Sequence, residues 1–499
     1  MFKSTLCSLL LATLGYSALA QTAETPQWRP AYHFTPKKNW TNDPNGLIFL
    51  DGQYQLYYQH NPFENKWGHM SWGHATTTDF VHWKHLPVAI PEIVTKDTTT
   101  WIYSGSAVLD KDNTSGFGKN GKPPVVAIFT ADQPTQHKES QFIAYSNDGG
   151  MSYTQYAKNP VIDLNKRDFR DPNVWWHEGT KQWIMTVAMV DEHMVRIYGS
   201  KNLKEWTKLS DFGPAGYAKN GWECPFMVPL AVDGDKSKIK WMLSVSSGGD
   251  HGPLMQYFVG DFDGTTFKSD NPTGTVFSID NGDTFYAGIP WRVEGKSTLL
   301  GWLQNGHPET SPWKGQMSIP RDLSLRTTAD GVRLFQQPSS VIQNSLNKLS
   351  KSHAEISKKT IGDDLKLPQA GSSNSYWIEA EFSLNDAKQA GFKIAQSADG
   401  QKTITVGYDV TKQQLFIDCS SAEKDNKSKE NLIQTTELKI TGGTVKLQLL
   451  VDRSSVELFG NNGEKVISTM IYPDVTATGV SAFGAGAKIT RLKVWDMGK

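Results

Sequence analysis

HATTTDFVHWKHL, residues 74–86, sets out a plan that the chain uses again. A run with strand character ends in a polar turn, and an aromatic residue opens the return strand. AYSNDGGMSYTQY (144–156), YGSKNLKEWTKL (198–209) and YFVGDFDGTTFKS (from Tyr257) follow the same plan in order. The spacing between copies is that of a four-stranded propeller blade with its loops, so a propeller of four or five blades is expected. LIFLDGQYQLYYQ (47–59) agrees: two alternating runs flank Asp51-Gly52, a pair suited to a two-residue hairpin turn. VVAIFTA, QWIMTVAM and KWMLSVSS carry the same β signature, and sustained helical periodicity is scarce. The protein reads as all-β.

At 499 residues the chain is too long for one ordinary core. Its texture changes near Pro338. We assign 28–338 to the propeller, 339–360 to a polar, Ser- and Lys-rich, partly helical linker, and 361–499 to a β-sandwich of regularly spaced strands. Lys3, the apolar run from Leu9 to Leu14 and the small-residue ending Ala18-Leu19-Ala20 have the form of a secretory signal peptide over 1–20. That run is too short to cross a bilayer. A secreted protein is expected, in the medium or in the periplasm of a Gram-negative cell.

Charge is balanced, 51 Lys and Arg against 51 Asp and Glu, with no basic stripe for nucleic acid and no basic amphipathic helix for a membrane surface. Of three cysteines, Cys7 falls in the signal, and Cys224 and Cys419 are too few for a disulfide framework. Asn39, Asn113 and Asn426 head sequons that act only in a eukaryotic secretory route. The 17 Trp, 16 Tyr and 22 Phe suffice both to fill cores and to floor a sugar site.

Asp-Pro occurs twice, each time as Asp-Pro-Asn: Asp43 in TNDPNG and Asp171 in FRDPNV. Glu223 stands in GWECPF, two residues before Pro225. Proline confines the preceding residue to extended geometry and removes a ladder N–H, so each acid is expected at a strand end with its side chain aimed outward. In a propeller the innermost strands converge on one axis, and acids far apart in sequence can face one funnel. Crowded carboxylates drive the one in the most apolar setting towards its neutral form. Trp222, Cys224 and Phe226 around Glu223 make it the expected neutral acid, and Arg170 is expected to keep Asp171 ionised. A neutral acid beside an ionised one is what glycoside cleavage requires.

Rival motifs are absent or broken. DKDNTSG (110–116) has a misplaced Gly and no closing Glu for a calcium loop, and there is no H-E-x-x-H, zinc cysteine pair or G-x-S-x-G turn. His69, His74, His82 and His85, near Trp72 and Trp83 in an expected hairpin, read as structural or solvent-facing.

WTNDPNG, YYQHNP, WGHMSWGHA, YSGSAV, FRDPNV, WECP and GWLQN, in that order, resemble glycoside hydrolase family 32, the invertases, inulinases and levanases; VDRSSVELFG and MIYP extend the resemblance to the second domain. It implies a five-bladed propeller followed by a sandwich, with no metal or organic cofactor. Carried over by position, Asp43 resembles the nucleophile, Glu223 the acid/base and Asp171 the transition-state stabiliser. Asn42, Gln59, Trp67, Tyr103, Ser104, Arg170 and Trp302 match positions that shape the fructose pocket. WGHMSWGHATTTDFVHWKHLPVAI looks more like exo-acting levanases and inulinases than invertases. Thr284, where many relatives carry Asp, and Gly306, where an aromatic residue is common, depart from the pattern and are expected towards the outer substrate subsites.

The expected function is release of terminal fructose from fructans (levan, inulin) and sucrose. A sucrose-preferring invertase, an endo-acting fructanase and a non-catalytic carbohydrate-binding propeller stand as alternatives, the last weakened by retention of all three acids. A sandwich acting as the sugar-binding module is a further alternative, but it lacks such an acid cluster and reads as structural. Linkage preference and oligomeric state are left open by the sequence.

Overall fold

A computed structural model describes residues 27–249, 252–304, 310–367, 370, 374–423 and 431–498. The expected signal peptide, Gly306 and Asn426 lie outside the described residues.

Among the described residues five blades form the first domain, the fourth and fifth sharing one ten-stranded sheet, and each begins with an inner strand: Asn39–Leu50, Thr99–Leu109, Phe169–His177, Glu223–Val232 and Phe285–Val293. These five touch one another in cyclic order, the fifth returning to the first, which makes a closed five-bladed propeller. Blades four and five are also stitched by a parallel bridge, Val232 to Leu325. Closure is reinforced where Trp313–Lys314, from the fifth blade's long connection, pairs with Asn39 and Trp40 of the first.

The repeat has a physical basis. Its copies cover the turn between the third and fourth strands of blades one to four. In each copy one side-chain oxygen accepts two successive backbone N–H groups: Asp79 from Val81 and His82, Asp148 from Met151 and Ser152, Asn202 from Lys204 and Glu205, and Asp263 from Thr265 and Thr266. Such turns satisfy the backbone locally, so the chain reverses without the two-residue hairpin. Blade five does use a tight hairpin, with Thr328 paired to Gly331, and so carries no copy. Asp51 (φ 48°) and Gly52 (φ 77°) both occupy the left-handed region that a type I′ turn demands.

The second domain is a sandwich of two six-stranded sheets over a separate apolar core that includes Ile378, Phe392, Val406, Leu449 and Leu492. The linker expected at 339–360 is shorter than that. Two helical turns, Ser340–Gln343 and Leu346–Leu349, connect the domains, but Ser352–Thr360 is the edge strand of a sandwich sheet, paired along its length with Lys488–Asp496. Its polar composition suits an edge strand with exposed side chains.

A buried ionic network joins the domains. His33 gives one ring nitrogen to Asp452 (2.9 Å) and the other to Glu457 (2.8 Å), and Arg321 binds Glu457 (2.5 Å) and Asp280 (2.9 Å). Asp452 also accepts the backbone N–H groups of Ala31, Tyr32 and His33. Burial opposes every charge here, but the two carboxylates outweigh it at His33 and push its pKa up to about 9. Against the same burial, the His33 hydrogen bond holds the Asp452 pKa down and the Arg321 charge does so for Glu457. VDRSSVELFG thus serves the domain interface through Asp452 and Glu457.

Candidate active site

Every inner strand breaks register at the same level. Between Thr41 and Pro44, Ile102 and Gly105, Arg170 and Asn173, Glu223 and Phe226, and Tyr286 and Ile289, two residues face one on the second strand. These are β-bulges, which bend the strand and re-aim its side chains. The bulged pairs are Asn42-Asp43, Tyr103-Ser104, Asp171-Pro172, Cys224-Pro225 and Ala287-Gly288. Asp171 (φ 66°), Cys224 (φ 47°) and Ala287 (φ 52°) adopt left-handed backbone there. Pro172 and Pro225 fit because a bulge leaves an N–H out of the ladder. The bulges therefore bend the strands where the expected acids stand, Asp43 and Asp171 within them and Glu223 at the edge of one.

They meet at a cavity of about 400 Å³ at the mouth of the propeller. Asp43, Asp171 and Glu223 line it, and so do all seven of the other expected residues, Asn42, Gln59, Trp67, Tyr103, Ser104, Arg170 and Trp302. Asp43 accepts from Ser104 Oγ (2.6 Å) and from Asn42 Nδ2 (3.0 Å), and Asn42 is itself fixed by Trp40 Nε1 (2.8 Å). Gln59 Nε2 donates to the Ile102 carbonyl, linking blade one to blade two. Trp67 stands at the rim, 52% exposed, edge-on to Trp101 at 5.3 Å. Trp302 faces it from blade five, packed edge-on against Trp40 at 6.0 Å. Burial keeps the Tyr103 hydroxyl protonated by raising its pKa.

Arg170 does not behave as expected. Its Nε donates to Glu223 Oε1 (3.0 Å), and its Nη1 holds Glu139 and Asp168 (both 2.8 Å). The neighbouring Asp171 instead accepts the Cys224 backbone N–H (2.9 Å) and lies beside its thiol (3.4 Å). Burial first, then the Glu223 charge, pushes the Asp171 pKa up to about 8, and Arg170 only moderates the rise. Burial likewise raises the pKa of Asp43. The acids in the most enclosed setting are thus the two aspartates. Trp222 and Phe226, the apolar neighbours of Glu223 in sequence, turn into the cores instead, while Glu223 meets Arg170 and the Tyr286 hydroxyl, whose oxygen donates to Oε2 at 2.5 Å.

Three participants escaped the sequence reading. Cys224 brings its sulfur to 3.5 Å from Asp43 and 3.4 Å from Asp171. Burial, then the two aspartates, drives its pKa up, so it is a thiol that donates to carboxylates. Glu139 is buried and takes both Arg170 Nη1 and the Phe169 N–H. Tyr286 lies opposite them on blade five. Only Cys224 had a signal, its place within the ECP turn. The other two are single polar residues in strand-like runs.

Two further expectations are corrected or completed. Thr284 does not reach an outer subsite: it is buried, and its hydroxyl donates to the Gln304 carbonyl at 2.6 Å. The histidines are structural or solvent-facing: His74 is buried and bonded to Gln55 (2.7 Å), while exposed His69 and His82 pair with Glu92 and Asp79.

Carboxyl groups gathered beside an arginine and a tyrosine, in an aromatic-rimmed pocket at the end of a propeller axis, define a glycoside hydrolase. Residues 33–338 match the glycosyl hydrolases family 32 N-terminal domain and residues 341–496 the family 32 C-terminal domain. The levanase of Bacillus subtilis is 42% identical, across 98% of this chain and 74% of that protein. The extracellular exo-inulinase of Aspergillus niger is 36% identical, across 97% and 98% respectively. The crystal structure of exo-inulinase from Aspergillus awamori superposes with a TM-score of 0.85 at 34% identity, covering 95% of this chain and 98% of that one. The chain belongs to glycoside hydrolase family 32 and has the fructofuranosidase fold.

Proposed function

We propose that this protein is a secreted, retaining, exo-acting β-fructofuranosidase that removes terminal fructose from fructans and from sucrose. The observation that carries the reading is the unequal furnishing of two acids in one pocket. Asp43 is held by neutral donors, Ser104 and Asn42, which orient it and leave an oxygen edge for attack. Glu223 is held by Arg170 and Tyr286, which fix its carboxyl in place for proton transfer. The kinship with levanases and exo-inulinases supports fructose as the sugar.

In the proposed mechanism Asp43 attacks the anomeric carbon of the terminal fructofuranosyl unit while Glu223 gives a proton to the departing oxygen. A covalent fructosyl-enzyme forms, and the shortened chain, or glucose from sucrose, leaves. Glu223, now a carboxylate, takes a proton from water as that water attacks the same carbon, and fructose departs with its configuration retained. Asp171 stabilises the cationic sugar and holds its hydroxyls. Asn42, Gln59, Tyr103, Ser104 and Arg170 shape the sugar pocket, and Trp67 and Trp302 flank its mouth. This chemistry needs the two carboxyls about 5–5.5 Å apart when substrate is bound.

A product time course on levan, inulin and sucrose tests the reading. Fructose alone from the first time point is the expected result, and the β-anomer in the first-formed product is expected by NMR. Early oligosaccharides would make the enzyme endo-acting; activity confined to sucrose would make it an invertase. An inverted first anomer would refute the double displacement.

A further inference from the structure

The catalytic cavity occupies one end of the propeller axis, and a second cavity, of about 470 Å³, occupies the other. It is built from the far ends of inner strands that carry the catalytic bulges, including Phe49, Leu109, Trp176 and Val293. At about 3.3 Å per residue, Phe49 lies roughly 20 Å along the strand from Asp43. Among the described residues none lines both cavities.

Its walls are aromatic. Trp175 and Trp176 line it, the latter half-buried and edge-on to Trp183 at 5.2 Å. Arg292 lies within, its Nη2 spent on Asn173 Oδ1 (2.7 Å) and the Met227 carbonyl (3.1 Å). Burial lowers its pKa to about 10 with no carboxylate offsetting the effect. The Nε–H of Arg292 and the Nε1–H of Trp175 are both buried without a partner. Arg292 thus brings an incompletely paired guanidinium to the wall of the cavity. At the mouth stand the exposed side chains of Lys111, Asp112, Glu178 and Glu294, three carboxylates to one ammonium.

These features discriminate between ligands. An oxyanion would suit Arg292 but would have to pass a predominantly acidic mouth, and a cation would meet Arg292. A neutral polyhydroxylated molecule suits every part. Its oxygens accept from the Arg292 guanidinium, its hydroxyls donate to Asp112 and Glu294, and its C–H faces lie against Trp176. The volume falls in the range of ligand pockets, about 300–1,000 Å³.

We propose that this reverse-face cavity is a second, non-catalytic carbohydrate site that holds a segment of a fructan chain. The polyol chemistry follows from the cavity itself; the choice of fructan rests on the function proposed above. The site tethers the enzyme to its polymer, which raises the local concentration of chain ends without touching the chemical step.

The test pairs binding with turnover. Glu223→Gln, with and without Trp176→Ala, is run in native gels containing levan or inulin, and the single Trp176→Ala variant is assayed on sucrose and on levan. The expected result is retention in the gel about fivefold weaker, from loss of roughly 1 kcal/mol of stacking. KM for levan should rise while kcat and KM for sucrose stay unchanged. Asp112→Ala, a surface change that leaves the core intact, should weaken retention in the same direction. If both variants are retained like their parent and keep the parental KM for levan, the proposal is overturned. A parallel fall on sucrose would assign Trp176 a structural role and also overturn it. Trp176-dependent retention in a protein that releases no fructose from levan would sink the proposed function and leave this site standing.

Discussion

Tyr286 Oη lies 2.5 Å from Glu223 Oε2 across the pocket, while Arg170 Nε holds Oε1 of the same carboxyl at 3.0 Å. Blades three, four and five thereby converge on one acid, and its orientation is set by residues distant in sequence. A hydrogen bond to a charged group contributes about 1.5–3 kcal/mol. Tyr286→Phe should therefore lower kcat/KM roughly ten- to hundredfold with the melting temperature little changed, as steady-state kinetics on sucrose would read. Parental kcat/KM would show that Arg170 alone positions the acid.

Asp43→Asn and Glu223→Gln should each fold normally and lose several orders of magnitude in kcat. Asn keeps the shape that Ser104 and Asn42 grip but cannot attack carbon, and Gln keeps the contacts with Arg170 and Tyr286 but has no proton to transfer. Circular dichroism and fructose release measured together check this. Near-normal release by either purified variant would remove it from its role.

Asp171 is a site where function and stability conflict. Its folded pKa, raised to about 8, lies far above the value of a free aspartate. A group with a raised folded pKa stabilises below its unfolded value, near 4, and loses that contribution as pH climbs through about 8. Asparagine has no charge to bury and tolerates the left-handed backbone at this position. Asp171→Asn should thus be more stable than the parent at pH 8, by about 1–2 kcal/mol, and nearly inactive. The gap in melting temperature should close towards pH 4. A variant less stable than the parent at pH 8 would contradict this account.

The network between the domains predicts a window of stability with two edges. His33, with a folded pKa of about 9, stabilises fully below its ordinary value near 6.5 and loses that contribution as pH rises through 9. Asp452 and Glu457, both with lowered pKa values, stabilise above the ordinary carboxylate range and lose that contribution as pH falls through their folded values. The melting temperature should be highest at about pH 5–7 and fall on both sides. His33→Gln should remove the alkaline slope and destabilise by about 3–5 kcal/mol, because it removes the buried cation that bridges Asp452 and Glu457. Denaturant unfolding across pH measures both effects.

Much of this was legible before any coordinates. The four turn repeats marked four blades because an Asp or Asn oxygen closes each turn, and that chemistry is local. The fifth blade was invisible in the repeat because the Thr328–Gly331 hairpin needs no such residue. Ser352–Thr360 read as linker because an edge strand carries polar side chains like a loop. All ten expected site residues reach one pocket: the Asp-Pro and Glu-Cys-Pro turns announce the three acids, and the resemblance to family 32 supplied the other seven.

The sequence by itself determined the β architecture, the blade turns, the two domains and the acids that face the axis, because each follows from contacts within a few residues of chain. Tertiary structure alone decided the environment of each acid. Arg170 turned from its neighbour Asp171 to Glu223, and the enclosed position fell to Asp171 rather than to Glu223 with its apolar flanks. Tyr286, Glu139 and the Cys224 thiol joined the site from other strands. Burial and charge are properties of whatever surrounds a group in space, and here those surroundings come from residues 31 to 181 positions away in sequence.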